Sequence, residues 1–404
     1  MNRRIVILGS GIAGTLAANR LRRHYDESEF GIVVVDRYDD HLCRPALVSV
    51  PFGLAEPGRI VRPASRQLAD GIGFRKAEAD RVDLDTDTVH FTDGSSYRYD
   101  VLVLATGAAP MPGAAGGPSD KVLPFHDLPS AVALRDALRR FDGGRLVVDI
   151  AGTPVGTPVG TPVEPLEFCF LADWYFRRRK IRDRVELAYV TPLNGAGSRP
   201  EASRALGQLL EEKWIRMTPR FTASVIDGEN GRLLNDGGHE IPFDLAVVFP
   251  QLQGAPWLVR SPGLADERGF VTVDRHTLQC KSKPNVFALG DAAGLPVPRS
   301  TSAVSSQAGT LVHNIRRFLA DEPLDASYDG RAACRVETGF GRALLLDSTY
   351  DTEARPGRES RLVHAGARAA QRLYWSAVLP GRADRVRVAR TGDHRPLGAG
   401  STPP

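Results

Sequence analysis

Residues 5–8 are wholly apolar and stop at Gly9, after which Leu16, Ala17 and Leu21 recur at helical spacing. A short continuous apolar run predicts a buried strand, and the recurrence after it predicts a helix, so the chain opens strand, turn, helix. A second apolar run covers residues 31–35 and ends on Asp36; a third, over residues 101–105, closes on Thr106 and Gly107. Downstream the pattern predicts strands at 146–150, 185–190 and 245–249 and helices at 166–179 and 200–213. A strand ending at Gly290 and a helix over 301–315 follow. Strands alternating with helices predict an α/β fold with parallel sheets, interrupted by a Pro-rich segment (43–57) and short β-like runs with turn signals (82–94).

This organisation predicts a dinucleotide-binding domain in two parts (1–110 and 251–322) around a second Rossmann-like domain (111–250). A C-terminal unit (323–392) and a disordered tail (393–404) complete it. The 404 residues, 42% of them hydrophobic, suffice for more than one core. The net charge of +4 comes from scattered arginines, with no basic block of the kind nucleic-acid binding requires. Four cysteines form no Cys-x-x-Cys pair, so neither a metal site nor a disulfide scaffold is expected. The first strand begins at once, and no apolar run nears the roughly 18 residues of a membrane span, which predicts a cytoplasmic protein.

The strongest chemical pattern is Gly9-x-Gly11-x-Ala13-Gly14 between strand and helix. There, backbone amides at a helix N-terminus can approach a pyrophosphate. Asp36, followed by Arg37, stands about twenty positions on, within reach of a ribose hydroxyl. The second α/β region carries no such fingerprint. Its first strand runs into Gly-Thr-Pro-Val three times over (152–163), and Pro154, Pro158 and Pro162 remove amide donors, so no NAD(P) site is expected there. Cys169 falls on an apolar helix face with Leu166, Phe170 and Trp174, a core position, and Cys280 reads as a strand-end residue. Residues 360–380 set Arg361, Arg368 and Arg372 on one helical face beside Leu362, Ala369, Leu373, Tyr374, Trp375 and Val378. Such a helix suits either a membrane surface or its own domain.

Asp100-Val-Leu-Val-Leu-Ala105-Thr106-Gly107 resembles the ATG motif of flavoproteins with two dinucleotide domains, and Gly290-Asp291 with Thr277-Leu278-Gln279 resembles their second flavin motif. Residues 161–168, Thr-Pro-Val-Glu-Pro-Leu-Glu-Phe, are similar to the Cys-Pro-x-x-Pro-x-Glu segment of sulfide:quinone oxidoreductases and flavocytochrome c sulfide dehydrogenases. His41-Leu42-x-x-Pro45-x-Leu47, Pro296-x-Pro298-Arg299 and the stretch around Cys334 extend the likeness over almost the whole chain. The resemblance implies a glutathione-reductase-like fold with a C-terminal extension, FAD as cofactor, a small-molecule electron donor and a quinone or other acceptor. It also implies peripheral contact with the inner face of the membrane, and it leaves the oligomeric state open. Gly9, Gly11, Ala13, Gly14, Asp36, Arg37, Pro45, Ala105, Thr106, Gly107, Gly290 and Asp291 are the implied cofactor contacts.

The resemblance implies that a thiol pair beside the flavin accepts sulfide sulfur, yet Thr161 stands where the flavin-proximal cysteine is expected and Arg299 where a lysine is usual. Threonine forms no persulfide. Either Cys334 works alone, or Cys43 or Cys169 partners it, or the donor is not sulfide. Glu167 is the implied acid/base, with a first-turn helix cap as its alternative; Glu164 reads as solvent-facing. Two other functions fit the same residues: a soluble FAD dehydrogenase or oxidase of a specialised small molecule, and a flavin-bound partner or sensor without turnover.

Overall fold

The computed structural model describes residues 3–114, 119–152, 163–352 and 356–381. Two five-stranded sheets, all parallel, organise them. The first has the order Val286–Ala288, Val101–Leu104, Arg3–Leu8, Phe30–Asp36, Ile72–Lys76. The second has the order Val122–Pro124, Leu245–Phe249, Gly144–Ile150, Val185–Val190, Ile215–Thr218. The central strands of both sheets read as near-continuous Val, Ile and Leu because both faces are covered, one by helices and the other by short antiparallel strands and loops. Helix α1 (Ile12–Arg22) and helix α5 (Thr301–Leu319) pack on one face of the first sheet through Leu16, Ala17, Leu311 and Ile315. On the second sheet lie α2 (Leu128–Arg140), α3 (Val163–Arg178) and α4 (Pro200–Glu212). The chain crosses between sheets along a short antiparallel ladder, Ala109–Pro110 against Leu252–Gln253.

After α5 the chain forms an antiparallel hairpin, Ala332–Gly339 with Arg342–Ser348, which lies against α3. Helix α6 (Arg361–Arg372) follows and joins the hairpin through Ser360, whose backbone pairs with Ala343. No α6 residue is fully buried. Leu362, Ala365, Ala369 and Leu373 are exposed along one strip, with Leu362 84% accessible, while Val363, His364, Ala367 and Gln371 are half-buried on the opposite side.

A π-helical turn, Tyr374–Val378, then redirects the chain. Tyr374 and Leu379 are buried, which corrects the expectation that Tyr374 belongs to the interfacial side of the amphipathic segment. This strap is tied to α1: Asn19 donates to the Leu379 carbonyl (3.0 Å), and Arg23 donates to the carbonyls of Pro380 and Gly381.

Among the described residues no helix is long and apolar enough to cross a membrane. Predicted helices are extended or trimmed by a few residues, α3 beginning at Val163 and α5 running to Leu319. The Gly-Thr-Pro-Val repeat beyond Gly152, Thr161, and the tail 393–404 lie outside the described residues.

Candidate functional site

The glycine turn is built by close approach. Gly9 has φ +105°, and a Cβ there would lie 2.3 Å from the Ala105 carbonyl oxygen. A Cβ at Gly14 would lie 1.9 Å from the Gly9 carbonyl oxygen. Any side chain at either position would push the helix off the strand. Gly11 differs, since a Cβ there meets nothing within 4 Å. It caps α1 in an extended conformation without a side-chain hydrogen bond, leaving first-turn amides directed at open space.

Asp36, at the end of its strand, accepts from the Ser10 amide (2.7 Å) and the Ser10 hydroxyl (2.9 Å), and its other oxygen accepts from the Tyr38 amide (3.2 Å). The carboxylate thus braces the glycine turn and retains lone pairs for a further donor. Arg37 points outward onto Glu78 (3.9 Å) and Tyr38.

Ala105 is buried against the glycine turn, and the hydroxyl of Thr106 is buried with no partner. Gly107 has φ +69° with open space around its Cβ position. Gly290, φ +69°, donates its amide to Gln307 (2.7 Å), and a Cβ on it would come 2.9 Å from Ala13. The second motif therefore packs directly on the start of α1. Asp291 follows with Arg299 at 3.8 Å, and Pro45 is exposed at the start of a 3-10 turn. An orphaned buried hydroxyl, two open glycines and an uncapped helix N-terminus converge on one groove and fit a dinucleotide.

His41 anchors this groove from below. Its Nδ1 lies 2.9 Å from the Ser10 carbonyl, which can only accept, so Nδ1 carries the proton and Nε2 accepts from the Tyr374 hydroxyl (2.9 Å). Burial holds the imidazole neutral by lowering its pKa to about 4.

The first turn of α3 and the hairpin supply the second group of candidates. Cys334 is 5% exposed; burial pushes its thiol up to about 11 against a hydrogen bond with Ser300, and the Glu167 and Asp347 carboxylates add to the rise. Glu167 is raised well above the usual carboxylate range by burial, then by the neighbouring carboxylates of Glu337 and Glu164, with the Glu337 backbone amide opposing. Glu164 is exposed in the first turn of α3, with protein packed around it. Burial raises it, Arg44 and Arg299 lower it, and Asp291 raises it. Its charged neighbours are thus Arg44, Arg299 and Asp291. Arg44 bonds the carbonyl and Nε2 of His126 (3.0 Å each), and burial lowers that imidazole's pKa to about 4.

Cys43 and Cys169 are buried in the same apolar cluster as Cys334, and all four cysteines are free. Burial pushes Cys43 up to about 12 and Cys169 further still, so neither is poised as a thiolate. Cys280 lies in a different cluster. The predicted residues that come together are thus Cys334 with Glu167, and Asp291 with Arg299. Sequence reasoning missed Glu337, His364, Arg44 and His126. His364 bonds Glu337 at 2.6 Å across 27 residues, and nothing in local spacing reports that contact.

Residues 3–309 match the model of the pyridine nucleotide-disulphide oxidoreductase family. The chain is 26% identical over 390 residues to the mitochondrial sulfide:quinone oxidoreductase of Schizosaccharomyces pombe, covering 89% of this chain and 84% of that protein. It is 23% identical over 346 residues to the sulfide-quinone reductase of Aquifex aeolicus, covering 80% and 78%. The demethylphylloquinone reductase of Synechocystis is 27% identical over 414 residues, covering 98% and 96%. In fold the chain is similar to the X-ray structure of the Aquifex aeolicus sulfide:quinone oxidoreductase, with a TM-score of 0.82 over 94% of this chain and 92% of that one at 20% identity. The chain belongs to the pyridine nucleotide-disulphide oxidoreductase family and is an FAD-dependent oxidoreductase, similar over most of its length to sulfide:quinone oxidoreductases.

Proposed function

We propose that the protein passes two electrons from a small donor, sulfide or another sulfur compound, through FAD to a quinone. The observation that carries this reading is the placement of half-buried Glu167 beside the buried thiol of Cys334, where the hairpin meets the first turn of α3. FAD supplies the two-electron chemistry when bound. Gly9, Gly11, Ala13, Gly14 and Asp36 would hold its pyrophosphate and ribose, with Thr106, Gly107, Gly290 and Asp291 along its length. Glu167 would take the donor's proton, since a carboxyl raised toward neutrality is matched to that task.

The α6 strip supports a quinone-facing membrane contact. Leu362, Ala365, Ala369 and Leu373 face outward with Arg361 and Arg372 beside them, an apolar face with a cationic rim suited to a lipid headgroup boundary.

A second reading is favoured by the chemistry at position 161 and by the high thiol pKa of Cys334. A thiol raised to about 11 carries little thiolate at neutral pH, and Thr161 supplies no second sulfur, so a donor other than sulfide would need neither. Anaerobic flavin reduction by sulfide decides between them. Loss of the reaction in Cys334→Ser and gain in Thr161→Cys support the sulfide reading. Reduction of the parent only by another donor, indifferent to Cys334, supports the second.

A further inference from the structure

We propose that Glu337 and His364 carry protons from Glu167 to solvent, forming an exit relay for the donor half-reaction; this rests on the function proposed above. Nδ1 of His364 lies 2.6 Å from one oxygen of Glu337, and the other oxygen of Glu337 is buried without a partner. Glu337 stands beside Glu167 and its backbone amide faces that carboxyl. His364 is 31% exposed on the half-buried side of α6, so its hydrogen bond joins Glu337 to the surface. The other charged neighbours are Glu164 on α3, Asp347 on the hairpin and Arg368 on α6.

The stoichiometry calls for such a path. Hydrogen sulfide and the Cys334 thiol together bear three hydrogens. Forming the S–S bond of a Cys334 persulfide breaks one S–H bond on each sulfur and releases two electrons, which reduce FAD. One hydrogen stays on the persulfide, one goes with the reduced FAD, and the third leaves as a proton to Glu167. A carboxyl among other carboxyls in a poorly solvated site must then discharge that proton before the next turnover. Burial raises Glu337 as well, and the imidazole of His364 opposes that rise.

The test uses the full-length, FAD-loaded protein with sulfide as donor. Infrared titration of the protonated-carboxyl band, assigned by its loss in Glu167→Gln and Glu337→Gln, reads the coupling without any donor. In Glu337→Gln the Glu167 band titrates at lower pH than in the parent, because a repelling carboxylate is gone. In His364→Asn the Glu337 band titrates at higher pH. In rapid mixing, His364→Asn is reduced by sulfide at least ~10-fold more slowly than the parent, added imidazole restores the rate, and reduction by dithionite is unchanged. A Glu167 band unmoved by Glu337→Gln overturns the relay, as does a parent-like sulfide rate in His364→Asn or a loss that imidazole does not repair. If sulfide leaves the parent flavin oxidised, the donor reading fails, and the infrared couplings alone decide the relay.

Discussion

Single residues at the cofactor groove answer to hydrogen-bond accounting. Asp291→Ala removes a charge-assisted acceptor, and FAD retention in the purified protein is expected to weaken by about 1.5–3 kcal/mol, read as a rise in the FAD dissociation constant. Release of FMN, or of no flavin under any preparation, would contradict the cofactor assignment. His41 answers to pH. Its folded pKa, lowered to about 4, lies below the ordinary value of 6.5, so the unfolded chain binds the extra proton first as pH falls. The stability it contributes is complete above pH 6.5 and is lost as pH drops toward 4, up to about 3 kcal/mol. His41→Gln, which cannot protonate, should flatten the denaturation midpoint across that window. A midpoint as steep as the parent's would show that other groups set the acid limb.

At the scale of elements, α6 and the strap behind it separate two roles that the amphipathic pattern merges. Leu362→Glu with Leu373→Glu changes only exposed side chains, so loss of liposome binding with normal FAD content is expected, measured by vesicle flotation and flavin absorbance. Truncation after Gly357 is expected to lower FAD content and thermal stability as well, because it removes buried Tyr374 and Leu379 and the partners of Asn19 and Arg23. Normal flavin loading of that truncation would refute the strap's role. The prolines at 154, 158 and 162 bear on a further element, and NADH and NADPH are expected to reduce the flavin poorly; fast reduction by either would contradict this.

The same elements show where sequence was legible. The glycine turn, Asp36, the Thr106-Gly107 turn and Gly290-Asp291 are local patterns, each complete within a few residues of a strand end, and local patterns survive in sequence. Tyr374 was misread because apolar residues from two sides of the segment were grouped together: at helical spacing it falls with Val363, Ala367 and Gln371 on the half-buried side, and not with Leu362 and Leu373. The Glu337–His364 pair was invisible, since it exists only once α6 lies against the hairpin.

For the whole molecule, the most consequential contact is the one between His41 and Tyr374, which joins the glycine turn near the start of the chain to a residue 333 positions later. The first sheet is likewise incomplete until its edge strand, Val286–Ala288, arrives. During synthesis the glycine turn therefore emerges early and stays without its support until Tyr374 has left the ribosome. Flavin capture then waits on a residue hundreds of positions downstream: a chain halted before Tyr374 holds the fingerprint in sequence but lacks the tether that steadies it. Ribosome-bound chains stalled at successive lengths should retain FAD only once residues through 381 are exposed, and retention by chains stalled before Tyr374 would show that the groove assembles without its distant partner.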